Sequence, residues 1–128
     1  MSKLGQIGSN DLDFIGFAID HGIESIRDGS PLVPFVISKK NNDKNLNRFL
    51  GETSIQSIAR AEEYVQKGNF DIAIIIYEGF VNFEGEKHEA ILAKVFSKNN
   101  KFIFAQRYKR DKNQLTKIGD YLYLGDQK

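Results

Sequence analysis

The 128-residue chain contains no cysteine, only two prolines and no long apolar run. Without cysteine it can form neither a disulfide framework nor a thiolate zinc site, so its stability must come from packing. The longest apolar run, residues 72–77, is far shorter than the about 20 residues that a membrane-spanning helix needs, so we expect no membrane segment. The chain reaches Asp11 before any sustained apolar segment, which does not fit a secretory signal, and we predict a cytoplasmic protein.

Several enzyme motifs are also missing. No serine occurs in a Gly-x-Ser-x-Gly turn, the motif that exposes a nucleophilic hydroxyl. Gly5 and Gly8 lack the third glycine, the preceding strand and the Lys-Ser/Thr pair of a phosphate-binding loop. The sequence therefore identifies no catalytic residue and favours a protein that is not an enzyme.

The two histidines are the natural candidates for acid-base or metal chemistry because their pKa lies near neutrality. Asp20 and His21 are adjacent on a predicted helix and point in different directions, so they do not form a catalytic pair. Glu86 and His88 share one face of a predicted strand, but two ligands without a third do not make a metal site. We predict neither a metal nor a cofactor.

The length and composition are those of one globular domain. Apolar residues make up 41% of the chain and charged residues 27%, which are ordinary values for a soluble domain with one core. We predict a single domain over residues 1–128, in which residues 1–8 form a loose lead-in without apolar periodicity.

Positive charge is concentrated at the C-terminal end. Residues 94–128 contain nine Lys and Arg against three Asp and Glu, whereas residues 1–93 contain nine against fourteen. This basic region, which is interleaved with aromatic residues such as Phe102 and Phe104, permits weak nucleic-acid binding as one interpretation. The favoured interpretation is that the two regions meet in the fold and compensate each other, so nucleic acid is not the expected partner.

Two helices are predicted. The first begins at Ser9, Asn10 or Asp11 and ends at Asp28–Gly29, because short polar residues cap helix starts and glycine takes the left-handed stop. The second runs from Thr53 or Ser54 to Lys67–Gly68. The predicted buried stripes are Ile15, Ala18, Ile19, Ile23 and Ile26 in the first helix, and Ile55, Ile58, Ala59 and Val65 in the second.

The remaining apolar segments are predicted as strands. The first strand covers residues 32–38. Because Pro34 cannot donate a hydrogen bond to a neighbouring strand, this strand should lie at a sheet edge or begin after Pro34. A loop over residues 39–45 and a short strand over 46–50 follow. The later strands are residues 71–83, 86–97 and 101–109, with a last short one over 115–124. We predict an α+β fold with a mostly antiparallel sheet of five or six strands, both helices packed on one face, and the order α-β-β-α-β-β-β-(β).

Tight turns at Glu84–Gly85 and Asn99–Asn100 predict the strand registers. They pair residue 83 with 86, residue 98 with 101, and place Glu89 opposite Arg110. One predicted face is the core face; it carries Ile72, Ile74, Ile76, Ile91, Ala93, Val95, Phe102 and Phe104. The other predicted face carries Ala73, Ile75, Tyr77, Leu92, Phe96, Ile103 and Ala105, with Lys94 and Arg107 among them.

The second of these faces is too apolar to be exposed to solvent, and two helices packed on the core face would leave it uncovered. We expect it to be covered by the N-terminal hairpin, which consists of the predicted strands over residues 32–38 and 46–50, by a second copy of the chain in a homodimer, or by a partner protein. The predicted interface residues are Tyr77, Phe96, Ile103 and Arg107, because aromatic residues and arginine dominate interface energies.

An alternative function uses the polar end of the core face. Glu78, Gln106 and Tyr108 fall together there, and with the neighbouring Arg107 they are the candidate lining of a pocket. Such a pocket would make the chain a small-ligand-binding protein or an enzyme.

Three segments of the chain carry a resemblance: residues 25–35 (SIRDGSPLVPF), 77–80 (YEGF) and 104–108 (FAQRY). They resemble segments of small uncharacterised bacterial proteins of unknown function, and the similarity spans most of the chain. The resemblance implies a bacterial cytoplasmic protein. It implies no activity, so no catalytic residue is carried over.

Overall fold

A computed structural model of the protein describes residues 9–51, 53–97, 100–112 and 114–126. Two helices and one six-stranded sheet follow in the predicted order, which confirms the α+β class. The predicted lead-in, residues 1–8, lies outside the described residues. The elements are α1 (Ser9–Ile26), β1 (Phe35–Lys40), β2 (Asp43–Arg48), α2 (Ser54–Gly68), β3 (Ile72–Phe83), β4 (Glu86–Ser97), β5 (Asn100–Asp111) and β6 (Gln114–Asp126).

All neighbouring strands are antiparallel, in the order β2-β1-β3-β4-β5-β6. The chain runs through successive hairpins except between β2 and β3, where α2 intervenes and β3 pairs with β1. Neither described helix is both long enough and apolar enough to cross a membrane.

α1 packs on the predicted core face of the sheet, which we call the first face. Its predicted apolar stripe is buried along the whole length of the helix. Gly22 allows the close approach, because a Cβ there would lie 2.8 Å from Cγ2 of Ile76. The helix ends at Ile26, and Gly29 follows with a φ of 95°, as the predicted Asp28–Gly29 stop requires.

α2 packs on the opposite side of the sheet, the second face, so the prediction that both helices share one face is wrong. Ala61 and Val65 form a buried cluster with Ile75, which is 0% exposed. The physical reason is that β3 is apolar on both faces: Ile74 of the first face is also 0% exposed. Each face needs a cover, and one helix goes to each.

The predicted stripe of α2 is also wrong in part. Ile55 is 81% exposed and Ala59 is exposed, whereas Ser57, Ala61 and Val65 are buried at four-residue steps. The predicted start is confirmed, since the Thr53 hydroxyl accepts a hydrogen bond from the Gln56 backbone N–H at 3.1 Å.

The first hairpin is longer than predicted. Asn41 and Asn42 have φ values of 52° and 71° and form a two-residue turn, so most of the predicted loop over residues 39–45 belongs to β1 and β2. β1 begins directly after Pro34, which agrees with the late start, but it lies inside the sheet between β2 and β3. The hairpin therefore extends the sheet and does not fold over the second face.

The strand registers are partly as predicted. Phe83 pairs with Glu86, but Ser97 pairs with Asn100 and Phe96 with Lys101, so the predicted pairing of residues 98 and 101 is displaced by two residues. Glu89 consequently lies opposite Tyr108 and not Arg110. A displacement of two leaves every side chain on its predicted face, because the strand period is two. β6 extends beyond the predicted residues 115–124 at both ends.

We expect Ile75→Ala to lower the free energy of unfolding by about 2–5 kcal/mol, because it opens a cavity between α2 and the sheet. Urea denaturation measures this. The matched control is Ile55→Ala, at an exposed position of α2, which should change stability by less than about 0.5 kcal/mol. Combining Ile75→Ala with Val65→Ala should give a non-additive loss, since the two side chains share one cluster. Equal, small effects of Ile75→Ala and Ile55→Ala would contradict the position of α2.

Candidate functional site

α2 covers only part of the second face. It packs on β1 and β3 and reaches β4 through Glu62, whose carboxylate accepts a hydrogen bond from Lys94 Nζ at 2.5 Å. In the part of the chain that the structure describes, α2 makes no substantial contact with β5 or β6. The area left beside it, which we call the open patch, is mainly apolar and comprises Tyr77, Gly79, Val81, Phe83, Ala90, Leu92, Ile103, Ala105, Arg107, Ile118 and Leu122, with His88 opposite Val81 at its edge.

Small residues form the floor of the open patch. Ala90 and Ala105 are both 0% exposed, and Gly79 lies opposite Ala90 in the same row of the sheet. The Leu92 side chain lies over Gly79, where a Cβ would be 2.5 Å from Cδ1 of Leu92. Leu92 and Leu122 pack around the small residues but stay half-buried. The patch is therefore a shallow apolar surface and not an enclosed cavity.

The four predicted interface residues all lie on the second face, but in different surroundings. Phe96 lies beside the end of α2 under Lys101, whose Nζ is 5.6 Å from the ring centroid. Tyr77 borders the α2 cluster, and burial raises the pKa of its hydroxyl. Ile103 and Arg107 lie on β5, beyond α2. The structure thus leaves Tyr77, Ile103 and Arg107 in the open patch and places Phe96 at its border with α2.

Arg107 has an unusual environment for a charged residue. It is only 8% exposed, and its guanidinium carbon lies 4.1 Å from the ring centroid of Phe83. Its Nε is buried without a hydrogen-bond partner, and no described carboxylate forms an ion pair with it. A buried N–H without an acceptor costs about 1–3 kcal/mol, partly offset by the cation–π contact with Phe83.

A bulge in β6 makes room for this guanidinium. The pairing of β5 with β6 is irregular between Ala105 and Arg107, and Gly119 there has a φ of 62°. A Cβ on Gly119 would lie 2.7 Å from Nη2 of Arg107. Gln106 holds the bulge from the first face: its Nε2 lies within 3.2 Å of the carbonyl oxygens of Arg107, Ile118 and Gly119.

Glu78 and Tyr108 meet on the first face. The Tyr108 hydroxyl donates to Oε2 of Glu78 at 3.1 Å, and the Leu32 backbone N–H donates to Oε1 at 2.6 Å. Burial and then the Glu78 carboxylate raise the pKa of the Tyr108 hydroxyl well above its ordinary value. These bonds fasten the connection between α1 and β1 to the sheet.

The structure does not bring the four candidate pocket residues together. Glu78, Gln106 and Tyr108 lie on the first face, and Arg107 lies on the second. Gln106 is 1% exposed and Tyr108 is 3% exposed, and both side chains are occupied by the bonds described above. Their visible roles are structural.

Basic residues of the C-terminal region make bonds to the N-terminal region. Lys94 bonds Glu62 of α2, and Lys117 bonds Asp20 of α1 at 2.9 Å. Arg110 donates from Nη1 to the Ile26 carbonyl oxygen at 2.9 Å and so caps α1, whose own last turn has no basic residue. These contacts are the ones that charge compensation between the two regions predicts.

The histidines lie in ordinary surroundings. His21 packs edge-on against Phe35, with 5.3 Å between ring centroids. His88 Nε2 is 3.8 Å from Glu86 Oε2, so the predicted neighbours do meet. Within the described ranges, no group of three or more acidic or histidine residues gathers around them.

Sequence reasoning missed the parts of the site that depend on α2 and on the bulge. Phe83, Leu122 and Gly119 were not singled out, although a glycine inside a strand pattern is a signal for a bulge.

Comparison of the chain with protein-family models, with curated proteins and with solved structures gives no match. The resemblance to small bacterial proteins therefore stays a prediction.

Tyr108→Phe tests, through pH, the burial of the Tyr108 hydroxyl and its contact with Glu78. In the folded protein the pKa of Tyr108 is raised above its unfolded value of about 10, so its contribution is complete below pH 10 and is lost as pH rises further. We expect the stability of the wild type relative to Tyr108→Phe to fall by about 1.4 kcal/mol per pH unit above pH 10. Urea denaturation between about pH 8 and 11 measures this. Parallel pH profiles of the two proteins would contradict it.

Proposed function

We propose that the protein is a non-catalytic cytoplasmic interaction domain whose open patch docks an apolar segment of a partner protein. The observation that carries this proposal is the unequal cover of the two faces. α1 covers the first face, whereas Leu92, Ile103 and Leu122 stay half-buried beside α2 on the second. A contiguous apolar surface of this kind on a small domain is typical of an interaction site.

The charge of the open patch favours a different protein over a second copy of this chain. In a twofold dimer the same surface meets itself. Face-to-face packing of two open patches would remove two Arg107 guanidinium groups from water without supplying a carboxylate to either, because the open patch contains no acidic residue. A partner segment with apolar side chains and an acidic residue supplies the missing carboxylate.

Several contacts support binding over catalysis. Gln106 and Tyr108, the buried polar residues of the predicted pocket, already have structural partners. Gln106 bonds to the β6 bulge, and the Tyr108 hydroxyl bonds to Glu78. A general acid or base must reach its substrate within hydrogen-bond distance. Both side chains are buried on the first face, so a surface role of the second face fits the geometry better than a reaction on the first.

Selection from a library of short random peptides displayed on phage tests the proposal. We expect selected peptides to bind the wild type and to lose at least about tenfold in affinity to Leu92→Glu and Ile103→Glu, because a carboxylate would be desolvated in an apolar contact. Isothermal titration calorimetry measures the affinities. The matched control is Phe17→Glu, which changes a 55% exposed residue on the outer side of α1 and should alter affinity by less than about twofold.

Two results would overturn the proposal. Peptides that bind the Leu92 and Ile103 variants as well as the wild type would place the interaction elsewhere. Light scattering that detects a dimer of the wild type but a monomer of Ile103→Glu would show that a second copy occupies the patch. Circular dichroism and urea denaturation of each variant establish that it is folded.

A further inference from the structure

The open patch contains a charged group that the fold has buried without neutralising it. Arg107 is 8% exposed, its Nε is buried without a hydrogen-bond partner, and within the described residues no carboxylate forms an ion pair with its guanidinium. Buried charges in proteins are otherwise paired or bound to a ligand. Glu86 lies beside Phe83 on the same face, but among the described residues its carboxylate is 3.8 Å from His88 Nε2 and forms no ion pair with Arg107.

The surroundings of Arg107 hold its guanidinium in one place. The Phe83 ring supports one side of the plane, and the left-handed Gly119 leaves the space that Nη2 occupies. Gln106 keeps the bulge open from the opposite face through its bonds to Ile118 and Gly119. A guanidinium that is already oriented loses little side-chain entropy when it binds an acceptor.

We propose that Arg107 is the recognition group for a carboxylate, contributed by an aspartate or glutamate side chain of the docked segment. This inference rests on the proposed function and adds the chemistry that selects the partner. The carboxylate accepts from the guanidinium and supplies the negative charge that no described residue supplies. Phe83 and Leu92 then contact the apolar side chains that flank the acidic residue.

A carboxylate fits the site better than a phosphate group. Among the described residues of the second face, Arg107 is the buried cation without an ion pair: Lys94 is bonded to Glu62, and Lys101 and Lys109 are less buried. One positive charge matches one carboxylate, whereas phosphate sites gather several donors or cations. An internal acidic side chain also fits better than a chain terminus, because apolar residues lie on both sides of Arg107: Val81 and Phe83 towards the β3–β4 turn, and Leu92 and Ala105 away from it.

Nuclear magnetic resonance of the ¹⁵N-labelled protein tests the site without a partner. The probe is 3-phenylpropionate, and its neutral counterpart is 3-phenylpropionamide. We expect the carboxylate to shift the Arg107 Nε–Hε signal and the backbone amides of Ala90 and Ala105. The amide and inorganic phosphate should bind at least about tenfold more weakly, because a charge-assisted hydrogen bond is lost or mismatched.

Two variants locate the effect. Arg107→Lys keeps the charge but loses the planar fork, and we expect it to weaken binding of 3-phenylpropionate roughly tenfold to a hundredfold. Lys109→Gln removes a charge from an exposed position of the same strand and should change binding by less than about twofold. If Arg107→Lys does not fold, Phe83→Leu, which removes the ring under an intact Arg107, is expected to weaken binding in the same direction.

The outcomes separate this inference from the proposed function. Equal binding of 3-phenylpropionate and its amide, or shifts confined to other arginines, overturns the inference. Exchange of the acidic residue for its amide in a selected peptide should weaken binding to the wild type by a larger factor than binding to Arg107→Lys, which keeps the charge but not the planar fork. No loss on this exchange overturns the inference and leaves the docking surface standing. If 3-phenylpropionate binds at Arg107 but no selected peptide binds through the open patch, the result supports the carboxylate site and contradicts the proposed function.

Discussion

The structure depends on the need to cover a sheet that is apolar on both sides. Ile74 and Ile75 are neighbours on β3, point to opposite faces, and are both completely buried. A sheet of this kind is stable only as the middle of three layers. With two described helices, the chain places one on each face: α1 spans the first face, and the shorter α2 covers the β1–β3 side of the second. The open patch is the part of the second face that α2 does not reach.

The two faces are also connected through the sheet itself. Gln106 points into the first face and bonds to the carbonyl oxygens of the β6 bulge, while Arg107, the next residue, points into the second. The bulge places Gly119 where a side chain would collide with the guanidinium. A buried amide on one face therefore sets the geometry of a buried cation on the other. This arrangement links the covered core to the surface that we propose as the interaction site.

The basic C-terminal region of the sequence forms contacts with the acidic N-terminal region in the tertiary structure. Lys94 connects β4 to α2, and Lys117 connects β6 to α1, so each helix has an ionic contact with the basic part of the sheet. Such contacts contribute little free energy when they are exposed, about 0–1 kcal/mol each, and more when water is partly excluded. Arg110 adds the positive charge at the end of α1. Arg107 differs from these residues because its charge meets no described acid.

Local pattern was sufficient for the class of fold, for the buried stripe of α1 and for the face of each residue in β3, β4 and β5. These features follow from periods of 3.6 and two residues, and a register displaced by two does not alter them. The side occupied by α2 was beyond local pattern: Ile55 is more apolar than Ala61, yet packing against Ile75 buries the smaller residue and leaves Ile55 exposed. The burial of Arg107 likewise arises from a bulge and a ring distant in sequence. Sequence determined which residues face together, and tertiary packing decided which of those faces are covered, since cover depends on contacts between distant elements.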